Sequence, residues 1–252
     1  MKMLLFFMSM TLLNLTSATT CYECNEKAYQ AYLGAQDPQV VKELWKKVVS
    51  DEQTKMKSNP TDVKQQYALA LSQFGLLSAT MRDKDETLFE EYADKTEENL
   101  EAVIDADKKW SEPRALLSAL YGLKMGYSPI KGMYLGPKSS NLIEKALKDS
   151  PTSPLVWKIY ANSKFFTPET FGGDVKEAIR AYEKSIALYE LTPTSIKNNW
   201  MYLDALAFLG QAYMKDGQSS KAVTVYEKAL KTEPNFTWVK AALLPNAKKV
   251  KS

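Results

Sequence analysis

Two thiols and one missing side chain set most of the chemistry open to this sequence. Cys21 and Cys24 are its only cysteines, three positions apart in Cys21-Tyr22-Glu23-Cys24, and it contains no histidine. Without imidazole there is no Ser-His or Cys-His nucleophile and no His-containing metal site. The thiols themselves admit two main readings. They can close a disulfide in an oxidising compartment, or Cys21 can be the lipidated first residue of a bacterial lipoprotein. Lipidation meets an imperfect processing sequence, because Thr20 stands where Gly, Ala or Ser is expected. Redox catalysis would need βαβ surroundings and a zinc site would need more ligands, while a haem attachment would need histidine where Asn25 stands.

Carboxylates are the next candidates. Asp105 with Asp107, and Glu90 with Glu91, lie in charged helical stretches without a nucleophile, a glycine-rich phosphate loop or metal-ligand spacing beside them. They read as solvated helix faces. No catalytic, cofactor-binding or metal-ligating residue is assigned, and the chain is expected to be non-enzymatic. With 33 Lys and Arg against 30 Asp and Glu, the formal charge of +3 makes no electrostatic case for nucleic acid. The basic tail Lys248-Lys249-Val250-Lys251 suits the C-terminal end of a helix dipole.

The elements that hold these residues can be read along the chain. At 252 residues, 45% hydrophobic and 25% charged, the composition is that of a globular protein with one continuous core. Lys2, an apolar run from Met3 to Leu15 and the small residues to Ala18 read as a secretory signal peptide over 1–18. That run is too short to anchor in a bilayer. The mature chain is therefore expected outside the cytosol, periplasmic or secreted, with membrane contact only if Cys21 is lipidated.

Internal similarity marks the second half. Ile143-Glu144-Lys145-Ala146-Leu147 returns as Tyr182-Glu183-Lys184-Ser185-Ile186, 39 residues on, and again as Tyr226-Glu227-Lys228-Ala229-Leu230, a further 44 on. Such a period belongs to stacked helical arrays, in which neighbours complete each unit's core. In the last unit Gly210 and Ala222 are small where two helices cross. Leu206, Leu209, Tyr213 and Tyr226 surround the crossing, Ala229 follows, Asp216-Gly217 makes the turn and Pro234 ends the second helix. This pattern resembles the tetratricopeptide repeat at its signature positions.

The resemblance fades towards the N-terminus and covers 112–247. Two earlier units, built on Trp157, Tyr160, Ala178 and Tyr182 and on Tyr121, Gly122 and Ala146, each carry five extra residues between their helices. A first pair, roughly 62–80 and 85–105, is helical by periodicity but divergent. The expected fold is an all-α, right-handed α-solenoid of about four such helix pairs. Its divisions are the signal peptide, an N-terminal extension and helix over 19–58, the divergent pair over 59–111, repeats over 112–234 and a capping helix with a basic tail over 235–252. The N-terminal helix is placed at 36–57.

Two surfaces are candidates for binding. The extended turns, 127–137 and 165–173, both join helix A to helix B and so emerge on one edge. Their Met133, Tyr134, Phe165, Phe166 and Phe171 either seal the turns or form a patch for a partner. The other surface is the groove lined by the A helices. The resemblance implies that Lys158 and Asn162 match the Lys and Asn with which carboxylate-clamp repeats hold a partner's C-terminus. The next unit offers Asp204, Ala207 and Gln211 there, none of them basic, so the clamp is incomplete. The expected function is an exported, non-catalytic scaffold for a protein or peptide. The alternative is a periplasmic lipoprotein accessory subunit that binds a small apolar ligand for a membrane transporter.

Overall fold

The structure is a computed structural model that describes residues 21–34 and 37–251; the expected signal peptide lies outside the described residues. Its α-helices are α1 (Glu26–Leu33), α2 (Pro38–Ser58), α3 (Val63–Thr80), α4 (Glu86–Ala106), α5 (Glu112–Tyr127), α6 (Gly132–Asp149), α7 (Pro154–Phe166), α8 (Val175–Glu190), α9 (Trp200–Lys215), α10 (Ser219–Thr232) and α11 (Leu244–Lys251). No strand occurs among the described residues.

Local sequence accounts for where the helices start. Asp62 Oδ1 accepts from the backbone of Lys64 at 2.9 Å and of Gln65 at 3.2 Å, and Asn199 Oδ1 from Tyr202 at 2.9 Å. Asp174 and Ser153 cap α8 and α7 in the same way. Pro38 and Pro154 occupy first turns, where a missing N–H costs nothing. Asn59-Pro60, which reads as a start signal, instead lies in the link before Asp62.

Helices α3, α5, α7 and α9 are the first members of four hairpins, and each touches the next. They form the inner layer, and at the two ends of the array their burial shows it. Twelve of the 18 residues of α3 and 12 of the 16 of α9 are buried, against four of 18 in α6 and four of 14 in α10. A helix apolar all round must be covered all round; the outer helices need cover on one stripe only. Within the last hairpin the crossing rests on Gly210, where an added Cβ would stand 2.1 Å from Tyr226 Cε1. Gly217 turns the chain at φ 74°. Gly75 plays the same part on α3, seating the ring of Trp45 from α2.

The extension in the second hairpin differs from expectation. Only residues 128–131 separate α5 from α6, and Pro137 lies inside α6. The extra residues lengthen a helix because this stretch has its own anchors. Leu135 is buried, and the Ser118 and Ser139 hydroxyls lie 2.9 Å apart. In the third hairpin the added residues do form a turn, with Gly172 at φ 92°. At the C-terminus, Phe236 and Val239 bury against the last hairpin, and a wide turn over Val239–Leu243 leads into α11.

Candidate functional site

The inner face of the solenoid holds a segment of its own chain. Helix α1 packs chiefly on α2 and also touches α3 and α9, the first and last inner helices. Residues 21–33 carry a periodic set of apolar side chains, with Ala28, Tyr29 and Ala31 buried. Asn25 Oδ1 caps the helix by accepting from Ala28 at 3.1 Å. Tyr22 lies 5.2 Å from the Tyr67 ring and 5.6 Å from that of Trp110, centroid to centroid. Tyr32 packs on Trp200 and Phe236, and Trp45 reaches Trp200 as well, which joins the two ends of the array. Cys21 and Cys24 are disulfide-bonded at the start of this segment.

Polar contacts fix the segment in register. The Tyr32 hydroxyl donates to Asp204 Oδ1 at 2.8 Å, and the Tyr29 hydroxyl donates to Glu233 Oε2 at 3.0 Å. Asp204 Oδ2 receives Lys158 Nζ at 2.6 Å, with the Lys158 side chain 3% exposed. Burial, reinforced by the Asp204 charge, holds the Tyr32 hydroxyl well above the ordinary phenol range. Glu23 is only partly covered by surface area, yet loss of hydration pushes its carboxyl up to about 7, and the charge of Glu112 acts in the same direction. The buried hydroxyls of Tyr67 and Ser111 find no hydrogen-bond partner among the described residues.

Lys158 and Asn162 therefore do not stand free in a groove. Lys158 neutralises Asp204, and Asn162 accepts from the Tyr182 hydroxyl at 2.6 Å. Gln211 is half-buried, with its Nε2 enclosed. Asp204, in sequence a departure from a basic groove, is the partner that lets Lys158 be buried. Helix α1 is an element that the sequence reading lacks. Asn25 followed by Ala28, Tyr29, Ala31 and Tyr32 at helical spacing is the signal for it.

The other candidate surface is open. Met133 and Phe171 are each 80% exposed, Ile130 71%, Phe166 60% and Tyr134 54%. Met133 and Tyr134 project from the first turn of α6, and Phe166 ends α7. Phe165 is half-buried, stacked on Phe166 and Phe208 with Lys215 over its ring. Contacts run between neighbouring hairpins here. Lys84 of the first turn donates to the Gly126 carbonyl at 3.3 Å and lies over Tyr127, and Phe166 of the third hairpin meets Phe208 of the fourth. Within residues 127–138 the charged side chains are Lys131 and Lys138, without a carboxylate. Among the described residues no group of His, Cys, Asp and Glu is arranged to hold a metal ion.

These features define a right-handed α-solenoid of helical hairpins whose inner face is filled and whose turn edge is exposed. The tetratricopeptide repeat family model matches residues 203–236, the hairpin of α9 and α10. Among solved structures, the chain is similar to the HusA haemophore from Porphyromonas gingivalis, with 21% identity and a TM-score of 0.57 over 79% of this chain and 96% of that one. It is also similar to a thermophilic TPR protein of Thermus thermophilus, TTC0263, with 16% identity and a TM-score of 0.53 over 85% and 90%. No curated protein matches the chain. The fold is that of tetratricopeptide repeat proteins.

Proposed function

We propose that the protein is an exported, non-catalytic scaffold that holds a protein or peptide partner on the edge formed by its A-to-B turns. Tetratricopeptide repeats generally mediate protein–protein interaction. The observation that carries the choice of surface is the contrast between the two faces. The inner face is covered by residues 21–33, whereas the turn edge leaves Ile130, Met133, Tyr134, Phe166 and Phe171 in water. An apolar cluster of this kind on two neighbouring turns costs solubility unless something covers it. Aromatic and methionine side chains provide the core of a protein contact, with Lys131 and Lys138 at its rim. Export accords with the apolar N-terminal run and with the Cys21–Cys24 disulfide.

The experiment is a triple substitution, Met133→Ser, Tyr134→Ser and Phe171→Ser. The expected result is an unchanged thermal melt with loss of the partner that the parent protein retains on a column. Loss of folding would instead give these side chains a sealing role and overturn the reading.

A second reading is favoured by the same aromatic edge: carriage of a small, flat apolar ligand by an accessory subunit of a membrane transporter. HusA is by name a haemophore. Two clefts flank α1, of about 240 and 640 Å³, but both are open and lined largely by polar side chains, so such a ligand would have to lie on the turn edge. Titration with haemin separates the readings: saturable binding lost in the triple variant supports carriage, and an unchanged spectrum supports the scaffold.

A further inference from the structure

The Cys21–Cys24 disulfide has its two sulfurs in unlike surroundings. Both cysteines are half-buried, on the single turn Tyr22–Cys24 that precedes α1. A donor and an acid stand beside Cys21: Asn199 Nδ2 points at its Sγ from 3.8 Å, and Glu23 Oε2 lies 3.7 Å away. Cys24 Sγ instead faces the carbonyl oxygens of Thr194 and Ser195, each at 3.8 Å, and its contact with Thr194 is open to solvent. Asn199 is fully buried and held in place. Its Oδ1 accepts from the Tyr202 backbone at 2.9 Å, and its Nδ2 gives one hydrogen to the Ser195 carbonyl at 2.7 Å, which leaves the other for the sulfur.

These surroundings decide which sulfur leaves when the bond is attacked. In thiol–disulfide exchange a thiolate attacks one sulfur and the other departs, faster when its own thiolate is better stabilised. The Asn199 N–H stabilises a thiolate at Cys21, whereas the two carbonyl oxygens repel one at Cys24 and accept from a thiol there. Glu23 supplies the acid, since loss of hydration, reinforced by the charge of Glu112 from α5, pushes its carboxyl up to about 7. The other groups around the turn are Tyr67 from α3 and Tyr189 from α8, both kept neutral by burial, and Asp62, which acts across Tyr22. A Cys-x-x-Cys pair is usually made reactive on a strand and a helix. Here helices and turns assemble the same parts: a reachable sulfur, a stabilised leaving thiolate and an acid.

We propose that Cys21–Cys24 is a thiol–disulfide exchange site that takes two electrons from a dithiol. Cys24 is the sulfur attacked, Cys21 the leaving group, Asn199 the donor that stabilises it and Glu23 the acid that protonates it. In the first step a thiolate of the dithiol, its proton already lost to water, bonds to Cys24 Sγ while the Cys21–Cys24 bond breaks. Cys21 departs with the electron pair and takes the Glu23 proton. In the second step the remaining thiol of the dithiol loses its proton to water and attacks the sulfur bound to Cys24. That bond breaks, and Cys24 leaves with the electron pair and takes a proton from water. The dithiol ends as a disulfide, Cys21 and Cys24 as thiols, and water returns the proton to Glu23. This activity goes beyond the scaffold reading and shares no residue with the turn edge, so either can fail without the other.

The test follows reduction of the folded protein by dithiothreitol, with quenching in iodoacetamide and intact mass to count the alkylated thiols. Two alkyl groups are expected to add while the helical circular dichroism stays unchanged. The rate per dithiothreitol thiolate should fall about tenfold from pH 6 to pH 8, because the protonated fraction of a carboxyl at about 7 falls by that factor. Glu23→Gln cannot give up a proton, so it should be slower than the parent at pH 6 and flat across the range. Asn199→Asp keeps the cap on α9 and removes the N–H donor, and should be about tenfold slower at pH 6. A disulfide that yields only after the protein unfolds overturns the proposal. So does a constant ratio of parent to Glu23→Gln rates from pH 6 to pH 8, or an unslowed Asn199→Asp. The pH dependence of that ratio separates acid catalysis from a structural effect of the substitution, which would change the rate by one factor throughout.

Discussion

Lys158 shows what a single charged residue can mean before and after its neighbours are known. In sequence it stands on the face expected to meet a partner; in the structure it is 3% exposed by side chain and bound to Asp204 at 2.6 Å. Removing one member of such a pair leaves the other charge buried. Lys158→Met is therefore expected to destabilise the fold by ~3–5 kcal/mol, read as a lower urea midpoint with an unchanged slope. Lys158→Met combined with Asp204→Leu should recover only part of that loss, because the charge pair is gone but the Tyr32 hydroxyl loses its acceptor. Glu23 gives a pH test. Burial and the nearby Glu112 raise its carboxyl from 4.5 to about 7, so the folded state binds this proton more tightly than the unfolded one. The stability it contributes is complete below about pH 4.5 and is lost as pH rises through about 7. Thermal melts should fall across that window, and Glu23→Gln should flatten that part of the profile.

The hairpins were largely legible because each carries its own punctuation. The first pair, expected at 62–80 and 85–105, is found at Val63–Thr80 and Glu86–Ala106. Asp62 and Asp85 supply the caps and the apolar periodicity does the rest. What failed was whatever depends on neighbours distant in sequence. Helix α1 carries a cap and helical spacing but is only eight residues long, and it is held by Trp200 and Phe236, up to about 200 residues away. The extra residues near Pro137 read as loop because proline usually ends a helix, yet Leu135 and the Ser118–Ser139 pair hold the stretch on α5. Glycine gives the sharpest test at this scale. Gly210→Ala puts a methyl 2.1 Å from the Tyr226 ring and should cost ~1–3 kcal/mol. Gly122→Ala meets nothing within 4 Å and should stabilise α5 by up to ~1 kcal/mol. Equal effects in chemical denaturation would mean that the close crossing at Gly210 is absent.

Across the whole molecule, curvature and function are linked. The inner helices at the two ends of the array, α3 and α9, are buried on most of their surface. Trp45 on Trp200 joins those ends, and α1 fills the remaining space. The exposed apolar side chains lie instead on the A-to-B turns, where Ile130, Met133, Tyr134, Phe166 and Phe171 remain in water. The exposure of Met133, Tyr134, Phe166 and Phe171 could be anticipated from the sequence because they lie in insertions between paired helices. Lys158 and Asn162, assigned to the groove, are engaged by Asp204 and Tyr182, partners that the sequence does not reveal. The most direct measurement of the account places a photo-crosslinking amino acid at Phe171 on the turn edge, and separately at Lys184 on the outer face of α8, in protein returned to its native host. A single protein adduct formed from position 171 and absent from position 184 is the predicted result. An adduct from position 184 alone, or none from either position while the parent protein still retains its partner, would contradict the account.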